Sequence, residues 1–302
     1  MTPEVSVIIP TFNRRAMLLE AIDSVLAQSV REFELIVIDD GSTDGTAENL
    51  KRLAETIRFE RIEHSGPAAA RNRGVALARA PLIAFLDSDD LWSPTKLERH
   101  LAFMRANPDC AISQTNEVWI RNGRRVNPGV RHRKRGGDIF VDSLRTCLIS
   151  MSASMMRTDL FRALGGFDDL MTAAEDYDLW LRILIDHEAG LLDEPLVTRR
   201  GGHPDQASAT TPALDRFRIL ALTKLLADDR LSEARRAAVV EVLVEKCRIY
   251  AGGLARRGRV NDARMYEAVA DCAPEWRKGS TPEIGCTVHS MRSAIRDIQH
   301  ER

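Results

Sequence analysis

The sequence predicts an α/β protein with a mostly parallel central sheet flanked by helices, followed by an all-helical C-terminal region. Between residues 5 and 107, short apolar runs alternate four times with helical periodicity. This alternation is typical of parallel sheets whose strands are buried on both faces. After residue 210 the pattern is helical throughout. We therefore divide the chain into a first domain, residues 1–210, and a helical region, residues 211–302.

The first part of the chain consists of four predicted strand-helix repeats. Runs of apolar residues indicate the strands, and amphipathic spacing indicates the helices. The predicted strands are residues 5–10, 33–40, 58–63 and 82–87, and the predicted helices are residues 15–28, 43–56, 67–80 and 93–107. In the fourth helix, Ser93 is the expected N-cap and Pro94 the expected first helical residue.

After residue 107 the order of elements changes. Alternating patterns predict strands at 110–120 and 149–157, with a hairpin-like Arg-Asn-Gly-Arg turn between them. A loop rich in Gly, Pro, Ser and Thr, residues 201–212, follows the strand predicted at 191–200. The remaining predicted elements are a short helix ending at 164–168, a helix at 175–187, a strand at 191–200, and helices at 214–229, 231–258, 260–272 and 283–299.

Composition excludes several classes of protein. The 43 basic and 44 acidic residues leave a formal net charge of −1, so we expect no nucleic-acid partner. No apolar run approaches the roughly 20 residues of a membrane-spanning helix, and the N-terminus lacks the pattern of a secretory signal. The five scattered cysteines argue against a disulfide framework or a zinc site. We therefore expect a cytoplasmic protein.

Three polar clusters follow directly on predicted strands, at residues 10–13, 39–42 and 87–90. Ligands of parallel α/β sheets bind outside the carboxyl ends of the strands, so we expect the clusters to share one crevice. Asp87 and Asp89 alternate on a turn, where one carboxylate can contact a ribose and the other a cation. Mg²⁺ or Mn²⁺ is the expected cation, because hard divalent metals prefer oxygen ligands. The alternative for an isolated Asp-x-Asp is a solvated turn.

The acidic turn is one of several motifs that occur in a fixed order. They are SVIIPTFNR, IVIDDGSTDGT, ARNRG, FLDSDDLW, and LGGFDD followed by AEDYDLWLR. In order and spacing this set resembles the family 2 glycosyltransferases, inverting enzymes with the GT-A fold, over about residues 4–205. The resemblance implies a Rossmann-like nucleotide-binding half and a nucleoside-diphosphate sugar as donor, with UDP the expected nucleotide.

The resemblance also implies roles for individual residues. Asp89 would bind the metal, and Asp176 would be the general base. The nucleotide would lie against Pro10, Thr11, Asn13, Asp39, Asp40, Arg71, Asp87 and Ser88.

A general base is also required on chemical grounds. In an inverting transfer a carboxylate opposite the leaving diphosphate takes the proton of the attacking hydroxyl. Asp176 suits this role if it opens a helix at the sheet rim. Its neighbour Glu175 is a second catalytic candidate, but residues 172–175 have capping-box spacing, so we favour a capping role for Glu175. Trp180, Leu181 and Leu184 follow at helical spacing and are expected in the core.

His203 follows two glycines after the last strand of the first domain. Many GT-A enzymes carry a flexible loop at this place that closes over the diphosphate. The resemblance therefore makes His203 a candidate metal ligand or phosphate contact. The alternative is an ordinary polar histidine. Gln206 and Ser208 are weaker candidates of the same kind.

Seven basic residues and no acidic one lie within residues 121–135. Such a patch would attract a glycan or lipid-linked acceptor that carries phosphate, and would give peripheral membrane contact through this loop. We favour the alternative of a solvated loop, because runs of charge usually lie in solvent. The amphipathic helices after residue 211 would pack on the first domain or form a homodimer, and the sequence does not choose between these.

Two other functions compete with the transferase interpretation. A sugar nucleotidyltransferase is disfavoured, because residues 10–15 do not form its glycine-rich loop. A catalytically silent scaffold that binds nucleotide-sugars is the stronger alternative, because a fold does not determine function.

Overall fold

A central sheet of nine strands organises the structure, a computed structural model that describes residues 2–203, 214–279 and 282–300. Within these ranges the strand order is β3-β2-β1-β4-β8-β6-β9-β5, and β7 pairs with β6. The strands are β1 Val5–Thr11, β2 Phe33–Asp39, β3 Arg58–Arg61, β4 Leu82–Phe85, β5 Leu91–Trp92, β6 Ile112–Arg121, β7 Arg124–Val126, β8 Ser154–Arg157 and β9 Ala189–Gly201.

The two halves of the sheet differ in strand direction. In the first half β3, β2, β1 and β4 are all parallel, with Ile8 level with both Ile36 and Phe85. In the second half β8 runs antiparallel to β4 and β6, β9 runs parallel to β6, and β5 runs antiparallel to β9. The predicted α/β class is confirmed, and its parallel part is the half that holds the strand-helix repeats.

Helices cover the sheet and form the C-terminal region. Short helix α5 and strands β5 and β7 were not among the predicted elements. The helices are α1 Arg15–Leu26, α2 Thr46–Arg52, α3 Pro67–Leu77, α4 Lys96–Ala106, α5 Phe140–Arg145, α6 Thr158–Ala163, α7 Glu175–Leu184, α8 Asp215–Leu226, α9 Glu233–Arg256, α10 Val260–Cys272 and α11 Pro282–His300.

The predicted start of α4 is wrong by two residues. Its N-cap is Thr95, and Ser93 and Pro94 precede the helix. The reason is the short strand β5, after which the backbone N–H of Ser93 still donates a hydrogen bond to the carbonyl of Leu196 in β9, at 2.9 Å. The predicted Arg-Asn-Gly-Arg turn is confirmed as the β6–β7 hairpin, in which Asn122 and Gly123 both have positive φ angles, as two-residue hairpins require.

Alternate residues of β1 reach the two faces of the sheet. Val7 and Ile9 belong to the core under α1 and α4, whereas Ile8 belongs to the core on the other face, as the period of a strand dictates. Helix α3 packs closely on this second face, because a Cβ on Gly74 would lie only 2.4 Å from Ile8 Cγ2. This close approach fixes the position of Arg71, one turn earlier on α3.

The helical region shares the second core. The predicted core residues Trp180, Leu181 and Leu184 are buried there, together with Phe217 of α8 and Tyr250 of α9. The boundary near residue 210 therefore marks a change of architecture within a continuous core. The homodimer expected from these helices stays a prediction.

Polar contacts join α8 and α11 to the first domain. Lys224 Nζ lies 2.6 Å from Asp168 Oδ2 and 2.7 Å from Asp178 Oδ1, and Arg292 Nη2 also lies 2.6 Å from Asp168 Oδ2. Within the described ranges, no helix has the length and apolar character required to span a membrane.

Candidate active site

A cleft of about 770 Å³ opens at the carboxyl ends of the parallel strands, where the sequence predicted a shared crevice. One wall comes from the loops after β1, β2 and β4, and the other from α7, β9 and the start of α8. Most of the predicted site residues line this cleft, namely Pro10, Thr11, Asn13, Asp40, Arg71, Asp87, Ser88, Asp89, Glu175 and Asp176.

The loops after β1 and β2 hold each other in place. Asn13 has a left-handed backbone, with φ 50°. Its Oδ1 accepts a hydrogen bond from the backbone N–H of Thr43 at 2.8 Å, and its own N–H donates to Ser42 Oγ at 2.9 Å. Beside it, Phe12 stacks on His64, with ring centroids 4.0 Å apart. Both rings line the cleft, and neither was among the site residues predicted from the sequence.

The two adjacent aspartates of the second loop have different surroundings. Asp39 is completely buried and accepts a hydrogen bond from the N–H of Ser42 at 2.9 Å, so it lies beneath the cleft and shapes the turn. Asp40 lines the cleft, and its two carboxylate oxygens accept hydrogen bonds from the N–H groups of Ser65 and Gly66, at 2.8 and 2.9 Å. Asp40 thereby fixes the chain that enters α3.

Arg71 lies buried between two carboxylates of the cleft. Its Nη2 donates a hydrogen bond to Asp87 Oδ1 at 2.7 Å, and its Nη1 donates to Glu175 Oε1 at 2.6 Å. Burial acts to lower the pKa of Arg71, but the two carboxylates outweigh it and raise the pKa. Burial raises the pKa of Glu175 against the opposing effect of Arg71.

The predicted capping role of Glu175 is wrong. Helix α7 begins at Glu175 itself, its N-cap is Ala174, and no side chain caps it. Ala174 has a left-handed backbone with φ 56°, so the chain turns sharply after Thr172 and the helix starts two residues later than capping-box geometry requires. Glu175 instead faces Arg71.

The acidic turn brings three carboxylates together. One oxygen each from Asp87, Asp89 and Asp90 lies within 4.8 Å of the others. Asp89 Oδ2 also lies 2.8 Å from Arg14 Nη1 and 3.0 Å from His203 Nε2. His203 is thus next to the predicted metal ligand, whereas Gln206 and Ser208 lie outside the described residues.

Asp90 was not predicted as a site residue, yet it is the most buried of the three aspartates. Its carboxylate accepts hydrogen bonds from Ser152 Oγ at 2.7 Å and from the N–H of Arg200 at 2.9 Å. Burial, followed by the neighbouring carboxylates, raises the pKa of Asp90 well above its usual range. Burial and Asp87 likewise raise the pKa of Asp89, although Arg14 opposes them. An oxygen-only cluster with this excess of negative charge fits a divalent cation.

Asp176 lies in the first turn of α7 and lines the cleft. Its Oδ1 accepts a hydrogen bond from the N–H of Tyr177 at 2.7 Å, and Cys147 Sγ lies 3.6 Å from its Oδ2. Burial, followed by the charge of Asp176, raises the pKa of the Cys147 thiol well above its usual range. Cys147 is therefore a neutral thiol that can donate a hydrogen bond to the carboxylate.

Comparisons with known proteins identify the family. A model described as glycosyl transferase family 2 matches residues 6–165, just over half of the 302 residues. The chain belongs to glycosyl transferase family 2. This confirms the resemblance drawn from the motifs. An uncharacterized glycosyltransferase of Rickettsia felis is 37% identical over 195 residues, which are 64% of this chain and 32% of that protein. The chain described here thus matches about a third of the length of that relative.

A second relative matches over more of its length. The E. coli protein WfgD, named UDP-Glc:alpha-D-GlcNAc-diphosphoundecaprenol beta-1,3-glucosyltransferase, is 32% identical over 191 residues, 63% of this chain and 73% of WfgD.

Solved structures confirm the GT-A fold of this family 2 chain. The 1–349 fragment of S. aureus TarS in complex with UDP-GlcNAc superposes with a TM-score of 0.69 and 18% identity, covering 100% of this chain and 93% of the fragment. The mannosyltransferase PcManGT of Pyrobaculum calidifontis, in complex with GDP-Man and Mn²⁺, gives a TM-score of 0.57 and 17% identity, covering 100% of this chain and 89% of PcManGT.

Proposed function

We propose that this chain transfers a sugar, with inversion, from a nucleoside-diphosphate sugar to a hydroxyl group of a glycan or lipid-linked acceptor in polysaccharide synthesis. UDP is the proposed nucleotide. One observation carries the proposal: a single cleft holds both the acidic turn at residues 87–90 and the carboxylate of Asp176. The name of WfgD and the UDP-GlcNAc complex of TarS support the choice of donor.

The nucleotide is proposed to lie along the wall formed by the loops after β1, β2 and β4. Thr11, Asn13 and Asp40 supply polar groups on this wall, and the stacked Phe12 and His64 supply aromatic surface. Small-molecule sites typically combine such apolar surface with a few fixed polar groups. Most of the polar groups are already held by backbone hydrogen bonds, so the wall is formed before a ligand arrives.

The acidic turn is the proposed metal site. Asp87 and Asp89 would bind Mg²⁺ or Mn²⁺, with Asp90 beside them and His203 within reach of Asp89. A bound divalent metal would act as a Lewis acid that offsets the charge of the leaving diphosphate. The raised pKa values of Asp89 and Asp90 support this assignment, because a cation would relieve the crowding of negative charge.

Asp176 is the proposed general base. It would accept the proton of the acceptor hydroxyl while that oxygen forms a bond to the anomeric carbon and the bond to the diphosphate breaks. Attack from the face opposite the leaving group inverts the anomeric centre. The contacts to Oδ1 and Oδ2 of Asp176 would hold the carboxylate in one orientation.

The basic loop is proposed to contact an anionic membrane surface. Two of its seven basic residues have partners within the fold: Lys134 lies 3.6 Å from Glu117, and Arg135 lies 2.6 Å from Asp142. Five exposed arginines form no ion pair with any described residue, namely Arg121, Arg124, Arg125, Arg131 and Arg133. We expect sedimentation with liposomes that contain anionic lipid, and loss of binding when these five arginines are changed to glutamine.

A panel of donors tests the proposed function. The chain is incubated with UDP-, GDP-, dTDP- and CDP-sugars and Mn²⁺, and both nucleotide binding and release of nucleoside diphosphate are measured. Release with one nucleotide class, dependent on Asp176, supports the proposal. Binding without turnover on any acceptor would favour the silent scaffold. Absence of nucleotide binding would contradict both functions.

A further inference from the structure

A second cavity of about 310 Å³ lies beside the cleft. It lies between strand β6 and the segment 128–134, and its lining includes Glu117, Trp119, His132, Arg133 and Lys134. Trp119 and His132 line both the cavity and the cleft. The two spaces therefore share these two rings as a common boundary.

Trp119 is held rigidly at this boundary. Its Nε1 donates a hydrogen bond to Glu117 Oε1 at 2.7 Å, and its ring lies against that of His132 with centroids 5.3 Å apart. The guanidinium carbon of Arg199 lies 4.9 Å from the centroid of the Trp119 ring. A large side chain fixed in this way is a preformed wall.

The charges around the cavity favour an anion. Glu117 is the carboxylate in the lining, and its oxygens lie 3.6 Å from Lys134 Nζ and 3.7 Å from Arg199 Nη1, with Ser150 Oγ also donating to it. The negative charge of Glu117 is thus balanced by two positive side chains, Lys134 and Arg199. Arg133 is exposed at the cavity, forms no ion pair with the described residues, and its planar guanidinium suits bidentate binding of a phosphoryl group.

We propose that this cavity is the acceptor subsite and that it takes a sugar carrying a phosphate or diphosphate at its reducing end. The sugar ring packs against Trp119 and His132, Arg133 binds the phosphoryl group, and the reacting hydroxyl points past the rings into the cleft. The volume is at the small end of ligand pockets and suits a single sugar ring. The inference rests on the proposed function, because an acceptor subsite presupposes transfer.

Tryptophan fluorescence tests the subsite without any transfer reaction. The chain has four tryptophans, and Trp92, Trp180 and Trp276 are buried in the core, so Trp119 is the reporter. The chain is titrated with N-acetylglucosamine 1-phosphate and, separately, with N-acetylglucosamine. We expect quenching by the phosphorylated sugar, at least tenfold weaker binding of the neutral sugar, and no signal in Trp119→Phe.

Two arginine variants make the test specific. Arg133→Gln is expected to weaken binding of the phosphorylated sugar at least tenfold. Arg52→Gln, which changes an exposed arginine at the end of α2, outside both the cavity and the basic loop, is expected to bind it like wild type. Equal binding of neutral and phosphorylated sugars, equal effects of the two variants, or no change in Trp119 fluorescence would overturn the proposal.

A lipid-linked probe identifies the source of the phosphoryl group. N-acetylglucosamine diphosphate on a short alkyl chain, in detergent micelles, is compared with the soluble phosphate. Tighter binding of the alkyl form indicates a lipid headgroup, and tighter binding of the soluble form indicates a free sugar phosphate; both support the subsite. UDP binding is measured on the same samples. Failure of UDP to bind would contradict the proposed function, whereas the fluorescence titration decides the subsite alone.

Discussion

Arg71 Nη1 and Glu175 Oε1 lie 2.6 Å apart and join helix α3 to the first residue of helix α7. The same guanidinium binds Asp87 of the acidic turn through Nη2. One buried cation therefore sets the spacing between the wall proposed to hold the nucleotide and the helix that carries Asp176. Disturbing this ion pair is expected to alter both stability and the alignment of the two walls.

Glu175→Gln removes one of the two charges that balance buried Arg71. Because breaking a buried ion pair leaves the other charge poorly compensated, we expect a loss of about 3 kcal/mol in the free energy of unfolding. Urea denaturation measures it. Glu60→Gln, which breaks the exposed pair with Arg73, is the matched control, with an expected loss below about 1 kcal/mol. Equal losses in the two variants would contradict the buried pair's role.

Asp176→Asn keeps the shape of the side chain but cannot accept the proton of an acceptor hydroxyl. We expect transfer to fall about 10² to 10⁴-fold, the usual contribution of a general base. UDP affinity, measured by calorimetry, should change less than about twofold, a difference of less than about 0.4 kcal/mol. Wild-type turnover in this variant would contradict the assignment of Asp176 as the general base.

Asp89→Asn tests the metal site. At 100 times its dissociation constant, UDP should stabilise the wild type by about 2.7 kcal/mol, and we expect this effect to require Mn²⁺ and to vanish in EDTA. In Asp89→Asn the stabilisation should be lost even with Mn²⁺. Asp229→Asn alters an exposed carboxylate of the helical region and should respond like wild type. Full stabilisation in EDTA would argue against a metal at the acidic turn.

Lys224→Met tests how the helical region is anchored. The substitution leaves Asp168 and Asp178 without the ammonium group that lies within 2.7 Å of both. We expect a loss of about 3 kcal/mol, because both carboxylates are largely buried. Arg259→Ala, which breaks an exposed pair with Asp262, should cost less than about 1 kcal/mol. Chemical denaturation of the full chain measures the free energy of unfolding of both variants and so distinguishes the two losses.

The buried side chain of His100 makes the free energy of unfolding depend on pH below 6.5. It is completely buried on α4, with Nε2 2.7 Å from Ser113 Oγ, and burial followed by the charge of Lys96 lowers its pKa well below 6.5. As the pH falls below 6.5, His100 therefore becomes protonated in the unfolded chain before it does so in the folded chain. This stability is present above pH 6.5 and is lost as the pH falls toward the folded-state pKa, by up to about 1.4 kcal/mol per pH unit.

Substitution of His100 by Gln should flatten the decline in unfolding free energy below pH 6.5. The amide can keep a hydrogen bond to Ser113 but does not titrate. His289→Gln alters an exposed histidine of α11 and should leave the slope unchanged. Denaturation curves at a series of pH values provide the slopes, and identical slopes for wild type and His100→Gln would contradict the prediction.

The sequence was informative wherever local pattern decides structure. The strand-helix repeats follow from periodicity, and the crevice follows from the rule that ligands bind beyond strand ends. Glu175 shows where local pattern fails: capping-box spacing predicted a cap, but a left-handed Ala174 delays the helix and a partner 104 residues away binds the carboxylate. The cavity beside Trp119 could not be predicted from the sequence either, because it depends on how the segment 128–134 folds back over β6.

The two walls of the cleft come from distant parts of the chain. Residues 10–14 line one wall, and Leu214 and Arg218 of the helical region contribute to the other. During synthesis on the ribosome, the wall proposed to hold the nucleotide emerges long before α8 can pack against α7. A chain interrupted before residue 214 would hold the acidic turn and Asp176 but lack part of the opposite wall. Completion of the cleft is therefore coupled to translation of the helical region.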